Sequence, residues 1–295
     1  MPARRPIQGR YWVIGLPLAW LIGAFLLPFL IVLRISLAEM GDAGPPLGAL
    51  VSSAHGMLAL TLSNYLFIAS DDLYLLTYLS SLKYAAITTL LCLFIGYPFA
   101  YCMARARAAN RALLLMLVML PFWTSFLLRI YAWKGILADH GILNDLLLAL
   151  GSIAQPLQLM HTPLSLLIGM VYAYLPFMIL PLYANLVKMD TGLLEAAFDL
   201  GATPLQAFWR ITVPLSKSGI IAGSMLVFIP ALGEYVIPEL LGGPQTLMIG
   251  RVLWDEFFTN NDWPMASAVT VVALLLILLP MAILNKYRDH RQGGA

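Results

Sequence analysis

Charged side chains are scarce in this chain: 17 Lys and Arg and 15 Asp and Glu among 295 residues, or 11%. Soluble domains carry about 25%. The shortage excludes an ordinary water-soluble fold, and 61% hydrophobic residues with a mean hydropathy of +0.84 read as an integral membrane protein. Cysteine is also rare. Cys92 and Cys102 lie ten positions apart on one apolar run, roughly 15 Å along a helix, too far for a disulfide, and are read as packing residues. The four histidines, His55, His140, His161 and His290, show no metal-ligand spacing. There is no G-x-x-x-x-G-K-[ST] phosphate loop, so ATP hydrolysis by this chain is not expected. No alternating period-2 signal repeats, which disfavours a β-barrel. A membrane-embedded enzyme needs a nucleophile with its base or a His/Asp metal set, and neither is visible; no metal site, no cofactor held by this chain and no nucleic-acid partner are expected.

What is present is a series of long apolar runs. Six, near 12–33, 82–104, 112–131, 164–187, 219–241 and 265–285, are long enough for the roughly 20 helical residues that a hydrocarbon core demands. The expected fold is all-α with six transmembrane helices. The first run follows Arg4, Arg5 and Arg10, but its apolar length is too great for a signal peptide and no small-x-small cleavage site follows, so it reads as a retained span. With the N-terminus inside, 12 of the 17 Lys and Arg fall on the inner side, which puts both termini in the cytoplasm. The outer segments then hold ten acidic against five basic residues, and an acidic mouth concentrates cations. The segmentation is a cytoplasmic stretch 1–11, a first transmembrane helix 12–33, an outer loop 34–81 with a short interfacial helix over 57–68, a five-helix core 82–285 with a polar loop at 188–217, and a basic tail 286–295 with a disordered end.

The fifth run is chemically distinctive. Pro230, Gly233-Glu234-Tyr235 and Pro238-Glu239 put a carboxylate beside helix breakers about two-thirds of the way across. An ionised carboxylate in lipid costs several kcal/mol, so Glu234 either faces a polar cavity or pairs with a base such as Arg129. A broken helix with an acid at its break is a way of building transport sites. Prolines 176 and 181 predict kinks in the fourth run.

The polar loop reads as helix, bend and helix. Leu194, Ala197 and Phe198 give Glu195–Leu200 an apolar face; Gly201 stops it, and Thr203 with Pro204 starts a new turn. Read from the residues alone, this is a docking knob or an amphipathic interfacial helix. Glu195-Ala196-Ala197, Asp199, Gly201 and Ile211-Thr212-Val213-Pro214 resemble the EAA…G…I-x-L-P loop of binding-protein-dependent ABC importer permeases, with Val213 where Leu is usual. The resemblance implies a type I importer fold and a coupling role for Glu195, Ala196, Ala197, Asp199, Gly201, Ile211 and Pro214.

A narrower likeness covers the chain from about Asn64 onwards. Leu62-Ser63-Asn64-Tyr65, Gly96-Tyr97-Pro98-Phe99-Ala100-Tyr101, Pro121-Phe122-Trp123-Thr124-Ser125, Arg129, Tyr131-Ala132-Trp133 and the stretch Gly233 to Gly243 resemble the spermidine/putrescine importer permeases, most of all the larger putrescine permease. This implies a bacterial inner-membrane protein, a second homologous permease, a cytoplasmic ATPase homodimer that binds the ATP and Mg, and a periplasmic substrate-binding protein. A diamine is a dication on an apolar stem, held by carboxylates and aromatic faces, and Glu234, Tyr235, Trp123, Arg129, Tyr131 and Trp133 are the expected pathway residues. The alternatives are an importer permease for another small solute, such as an amino acid or thiamine, and a secondary transporter, which predicts inverted repeats that are not evident here.

Overall fold

Caps and helix breakers cut the apolar runs differently from hydropathy alone. The computed structural model describes residues 8–38 and 61–292, and no strand occurs among them. In chain order the helices are α1 (Gln8–Leu21), continued through a π turn into α2 (Leu27–Ser36), α3 (Ser63–Ser70), α4 (Asp72–Arg105), α5 (Ala108–Met119), α6 (Phe126–Leu137), α7 (Ile142–Ala149), α8 (Pro163–Leu186), α9 (Gly192–Asp199), α10 (Pro204–Ala207), α11 (Lys217–Leu232), α12 (Val236–Leu241), α13 (Ile249–Trp254) and α14 (Trp263–Gln292). Three stretches, Val13–Ser36, Asp72–Arg105 and Pro163–Leu186, are by themselves long and apolar enough to cross a membrane. Two bent pairs qualify when each is taken as one span, and Trp263–Leu278 is a shorter apolar helix.

The helices group into two compact units, Met1–Leu75 with Leu253–Ala295, and Leu76–Val252. In the first, α14 packs along α2, and the Asn64 amide donates to the carbonyls of Ser36 (3.1 Å) and Ala38 (2.9 Å), closing the end of α2. Ser36 Oγ and the Tyr65 hydroxyl are bonded at 2.6 Å, and the Tyr74 hydroxyl donates to Glu256 at 2.8 Å.

The second unit is built on α8 against α11. α8 starts because Thr162 caps it, accepting from Ser165 N–H while Ser165 Oγ accepts from Thr162 N–H, with Pro163 at the first position. α11 approaches closely through Gly219 and Gly223: a β-carbon at Gly219 would lie 2.8 Å from Asn185 Cβ, and one at Gly223 2.8 Å from Met178 Sδ. Small residues four apart are how helices come together in lipid. Gly219→Val is therefore expected to destabilise the bundle by about 1–3 kcal/mol through overpacking, read as a lower melting temperature of the detergent-solubilised chain; an unchanged melt contradicts the packing described.

Several expected boundaries change. α4 begins at Asp72, ten residues before the predicted start at 82, because residues 72–81 continue the helix without a breaker. The run predicted as one span over 112–131 is broken: Pro121 opens a 3-10 turn, Thr124 and Ser125 are extended, and the two halves meet at 86°. Pro176 and Pro181, by contrast, lie inside one continuous α8. The interfacial helix placed over 57–68 is observed from Ser63 to Ser70, its first residues lying outside those described. The last helix runs on to Gln292 instead of ending at 285; the predicted disordered end lies beyond the described residues.

Candidate functional site

Two features of the second unit carry chemistry: the break between α11 and α12, and the loop from α9 to α10.

At the break, Gly233 ends α11 and Tyr235 precedes α12. Half-buried Glu234 fills the gap. Its Oε1 accepts from the backbone N–H groups of Val236 (3.0 Å) and Ile237 (3.4 Å), so it satisfies the free donors at the start of α12. Its Oε2 accepts from the Tyr174 hydroxyl of α8. Among the described residues the carboxylate is thus held without a cationic partner, and Arg129 is not its counter-ion. Arg129 instead lies over the rings of Phe122 (5.2 Å) and Phe126 (5.7 Å), its Nε buried with no hydrogen-bond partner among the described residues. The two are joined indirectly: Phe122 meets Phe177 edge-on at 5.1 Å, and Phe177 lies 6.3 Å from Tyr174. A row of three rings therefore runs from the Arg129 guanidinium to the Glu234 carboxylate.

The other expected pathway residues divide. Tyr235 is half-buried beside Glu234, and Trp133 packs edge-on against Tyr172 at 5.5 Å. Trp123, 75% exposed, and exposed Tyr131 do not join the ring row. Tyr174, Phe122 and Phe177 are not among the expected pathway residues, although Phe122 lies in the Pro121–Ser125 stretch quoted for the resemblance; the spacing Tyr174-x-x-Phe177, which puts both rings on one helix face, is a signal for the other two. Gly250 was also missed. A β-carbon at that position would lie 2.5 Å from the carbonyls of both Gly233 and Glu234, so the start of α13 rests directly on the break, anchored by Ile249 N–H donating to Ser81 Oγ (2.7 Å) and by the Arg251–Glu239 ion pair (2.8 Å).

The loop forms the predicted helix, bend and helix. α9 ends at Asp199; Gly201 N–H bonds to Phe198 O and Ala202 N–H to Ala197 O, with Gly201 at φ +82°. This is a Schellman cap, which asks for a left-handed residue. Thr203 then caps α10 in a reciprocal box with Gln206. Leu194, Ala197 and Ala207 form a small core of their own, with Ile211 packed against it. The opposite face is bare: Glu195, Ala196, Asp199, Gly201 and Pro214 are exposed, as are Leu200 (88%) and Leu205 (68%). A folded knob that turns leucines outward is an interaction surface. Tyr97 ties its far end to α4, bonding Ser216 Oγ at 2.8 Å and meeting Phe208 edge-on at 5.5 Å. Among the described residues no group of three or more His, Cys, Asp or Glu is placed to hold a metal.

The family model described as binding-protein-dependent transport system inner membrane component matches residues 93–293. The chain is 41% identical over 273 residues to the spermidine/putrescine transport system permease protein PotB of Haemophilus influenzae, covering 92% of this chain and 91% of that protein. To PotB of Escherichia coli K12 it is 42% identical over 272 residues, covering 92% and 94%. Among solved structures, a bacterial ABC transporter involved in the import of the acidic polysaccharide alginate matches with a TM-score of 0.67 at 17% identity, over 94% of this chain and 96% of that one. At that identity the likeness is one of fold.

Proposed function

The chain belongs to the family of binding-protein-dependent transport system inner membrane components, and on that premise we propose that it is the permease subunit through which an ATP-driven importer moves putrescine or spermidine. As a member of this family it is a multi-pass inner-membrane protein and a permease subunit, not the ATP-hydrolysing one.

The observation that carries the substrate reading is Glu234. It is an acid at a break in a membrane helix, supported by a tyrosine hydroxyl and two N–H groups and, among the described residues, by no cation. Such a group attracts an ammonium in a low-dielectric setting. The ring row from Tyr174 to Phe122 offers apolar and π surface for an alkyl stem or a second ammonium. An ammonium arriving at Oε2 takes the place of the Tyr174 hydroxyl bond, so Tyr174 is the residue that must move or share.

Both termini and the α9–α10 loop lie on the cytoplasmic side in this reading. Glu195, Ala196, Ala197, Asp199, Gly201, Ile211 and Pro214 form or support the knob that enters a cleft of the ATPase homodimer, which binds ATP and Mg. A second, homologous permease completes the pore, and a periplasmic binding protein delivers substrate. Closure of the ATPase dimer on ATP pulls the knobs together and opens the pathway outward; hydrolysis resets it.

Co-purification tests the assembly. The tagged chain is expected to bring down a soluble ATPase and a second permease, and hydrolysis by that complex is expected to rise with putrescine-loaded binding protein. A chain that isolates alone and transports without ATP sinks the reading. Tyr174→Phe is expected to lower the apparent KM for uptake by about tenfold, because the ammonium no longer has to displace a hydrogen bond to a charged group worth about 1.5–3 kcal/mol, while maximal ATP hydrolysis is kept. A KM within error of the parent contradicts a site at Oε2.

A further inference from the structure

An apolar groove of about 730 Å³ lies along α4, walled by Ile87, Phe94 and Pro98 on one side and by Phe208, Trp209 and Val213 of the loop after α10 on the other. Its size falls within the range of about 300–1,000 Å³ found for built ligand sites, and none of its lining residues is charged. Its position on α4 sets its depth. Lys83 and Arg105 bracket a charge-free run of roughly 33 Å at 1.5 Å per residue, the thickness of a hydrocarbon core of about 30 Å. From Ile87 to Pro98 the groove covers roughly 16 Å, about half of that core. It is one leaflet deep.

The Pro98 end of the groove is basic. The Arg105 guanidinium lies 5.0 Å from the Tyr101 ring centre, and Tyr101 packs edge-on against the groove residue Phe208 at 5.9 Å. Arg210 directly follows the lining residue Trp209, and Lys217, the first residue of α11, directly follows Ser216, which bonds Tyr97 of the groove; both are exposed. None of the three forms an ion pair with a carboxylate among the described residues. An apolar trough one acyl chain deep, ending at three cations that form no ion pair among the described residues, is complementary to an anionic lipid. We infer that the groove takes an acyl chain of an anionic phospholipid whose headgroup is held by Arg105 together with Arg210 and Lys217. A neutral or zwitterionic lipid fills the trough equally well but leaves the cations without a net countercharge.

The groove also bears on coupling, a consequence that rests on the importer reading given above. Its outer wall is the π turn Phe208–Thr212 and Val213, directly after the knob, and Tyr97 of the facing α4 wall bonds Ser216. A bound chain fills the space between α4 and the loop, so it stiffens the lever between knob and bundle.

The test places a photo-reactive group in the groove through Phe94→p-benzoylphenylalanine, since Phe94 is 80% exposed and lines the trough. The full chain, with the subunits that co-purify with it, is reconstituted in phosphatidylcholine vesicles containing phosphatidylglycerol and illuminated. Phosphatidylglycerol adducts are expected in several-fold excess over that lipid's share of the bilayer. The excess should vanish in the Arg105→Ala, Arg210→Ala, Lys217→Ala triple variant and persist when Arg105 and Arg210 are replaced by Lys. Adducts in simple proportion to bilayer composition, unmoved by the triple variant, overturn the inference. A cross-link to a protein subunit overturns it too, because the groove is then a subunit interface. Adduct formation needs no substrate: selective labelling without polyamine uptake leaves the lipid site standing and removes the substrate reading, and uptake without selective labelling does the reverse.

Discussion

Glu234→Gln is expected to lower putrescine uptake by about 30-fold or more at low substrate, since truncating one partner of a desolvated charge pair costs on the order of 2–5 kcal/mol. The substitution keeps the shape of the side chain. A glutamine oxygen still accepts from Val236 N–H or Ile237 N–H, and the glutamine NH2 donates to the Tyr174 hydroxyl oxygen in place of the bond that the carboxylate accepted, so the break between α11 and α12 stays capped. What is lost is the negative charge. The amount of chain in the membrane, its assembly with the ATPase and the basal rate of ATP hydrolysis are therefore expected to match the parent. Uptake of labelled putrescine into vesicles is the measurement, and parental uptake in this variant removes Glu234 from the substrate pathway.

The second large effect is expected at the knob. Gly201 sits at φ +82° with nothing within 4 Å of a β-carbon, so a side chain there meets strain and no clash. The backbone strain is about 1–2 kcal/mol, too little to unfold the chain. The aspartate of Gly201→Asp also brings a negative charge to the C-terminal end of α9, where the helix dipole disfavours it. The Schellman turn that sets the α9–α10 angle opens, and the exposed Leu200 and Leu205 lose their relative placement. Uptake is expected to fall at least about tenfold, the effect of roughly 1.4 kcal/mol lost from a docking surface, while the ATPase is either released or hydrolyses without responding to loaded binding protein. Glu195→Ala is expected to act in the same direction. Coupled, substrate-stimulated hydrolysis in both variants contradicts docking at this loop.

The two sites differ in how far the sequence reveals them. The knob is local: Gly201, Thr203 and Pro204 each have a strong positional preference, and the structure shows the stop, the cap and the first position they predict. The broken helix at Gly233-Glu234-Tyr235 is legible for the same reason. What holds Glu234 is not local. Tyr174 lies 60 residues away, and which residue meets a carboxylate across a bundle depends on helix rotation and depth, which hydropathy does not encode. Arg129 is the expected partner by charge; the fold gives it phenylalanine faces instead. The early start of α4 at Asp72 escapes for another reason, because an apolar window reports contact with lipid, not the end of a helix. Gly219 and Gly223 are an overlooked plain signal, a small-x-x-x-small pair on the face where α11 meets α8.

The most direct test is ATP-dependent uptake of labelled putrescine into vesicles holding this chain with its ATPase, second permease and binding protein, against excess spermidine or an unrelated amino acid. Uptake that requires ATP, is suppressed by spermidine and ignores the amino acid is the predicted result. Putrescine that stays outside, while ATP hydrolysis still responds to a binding protein loaded with some other solute, contradicts the polyamine assignment.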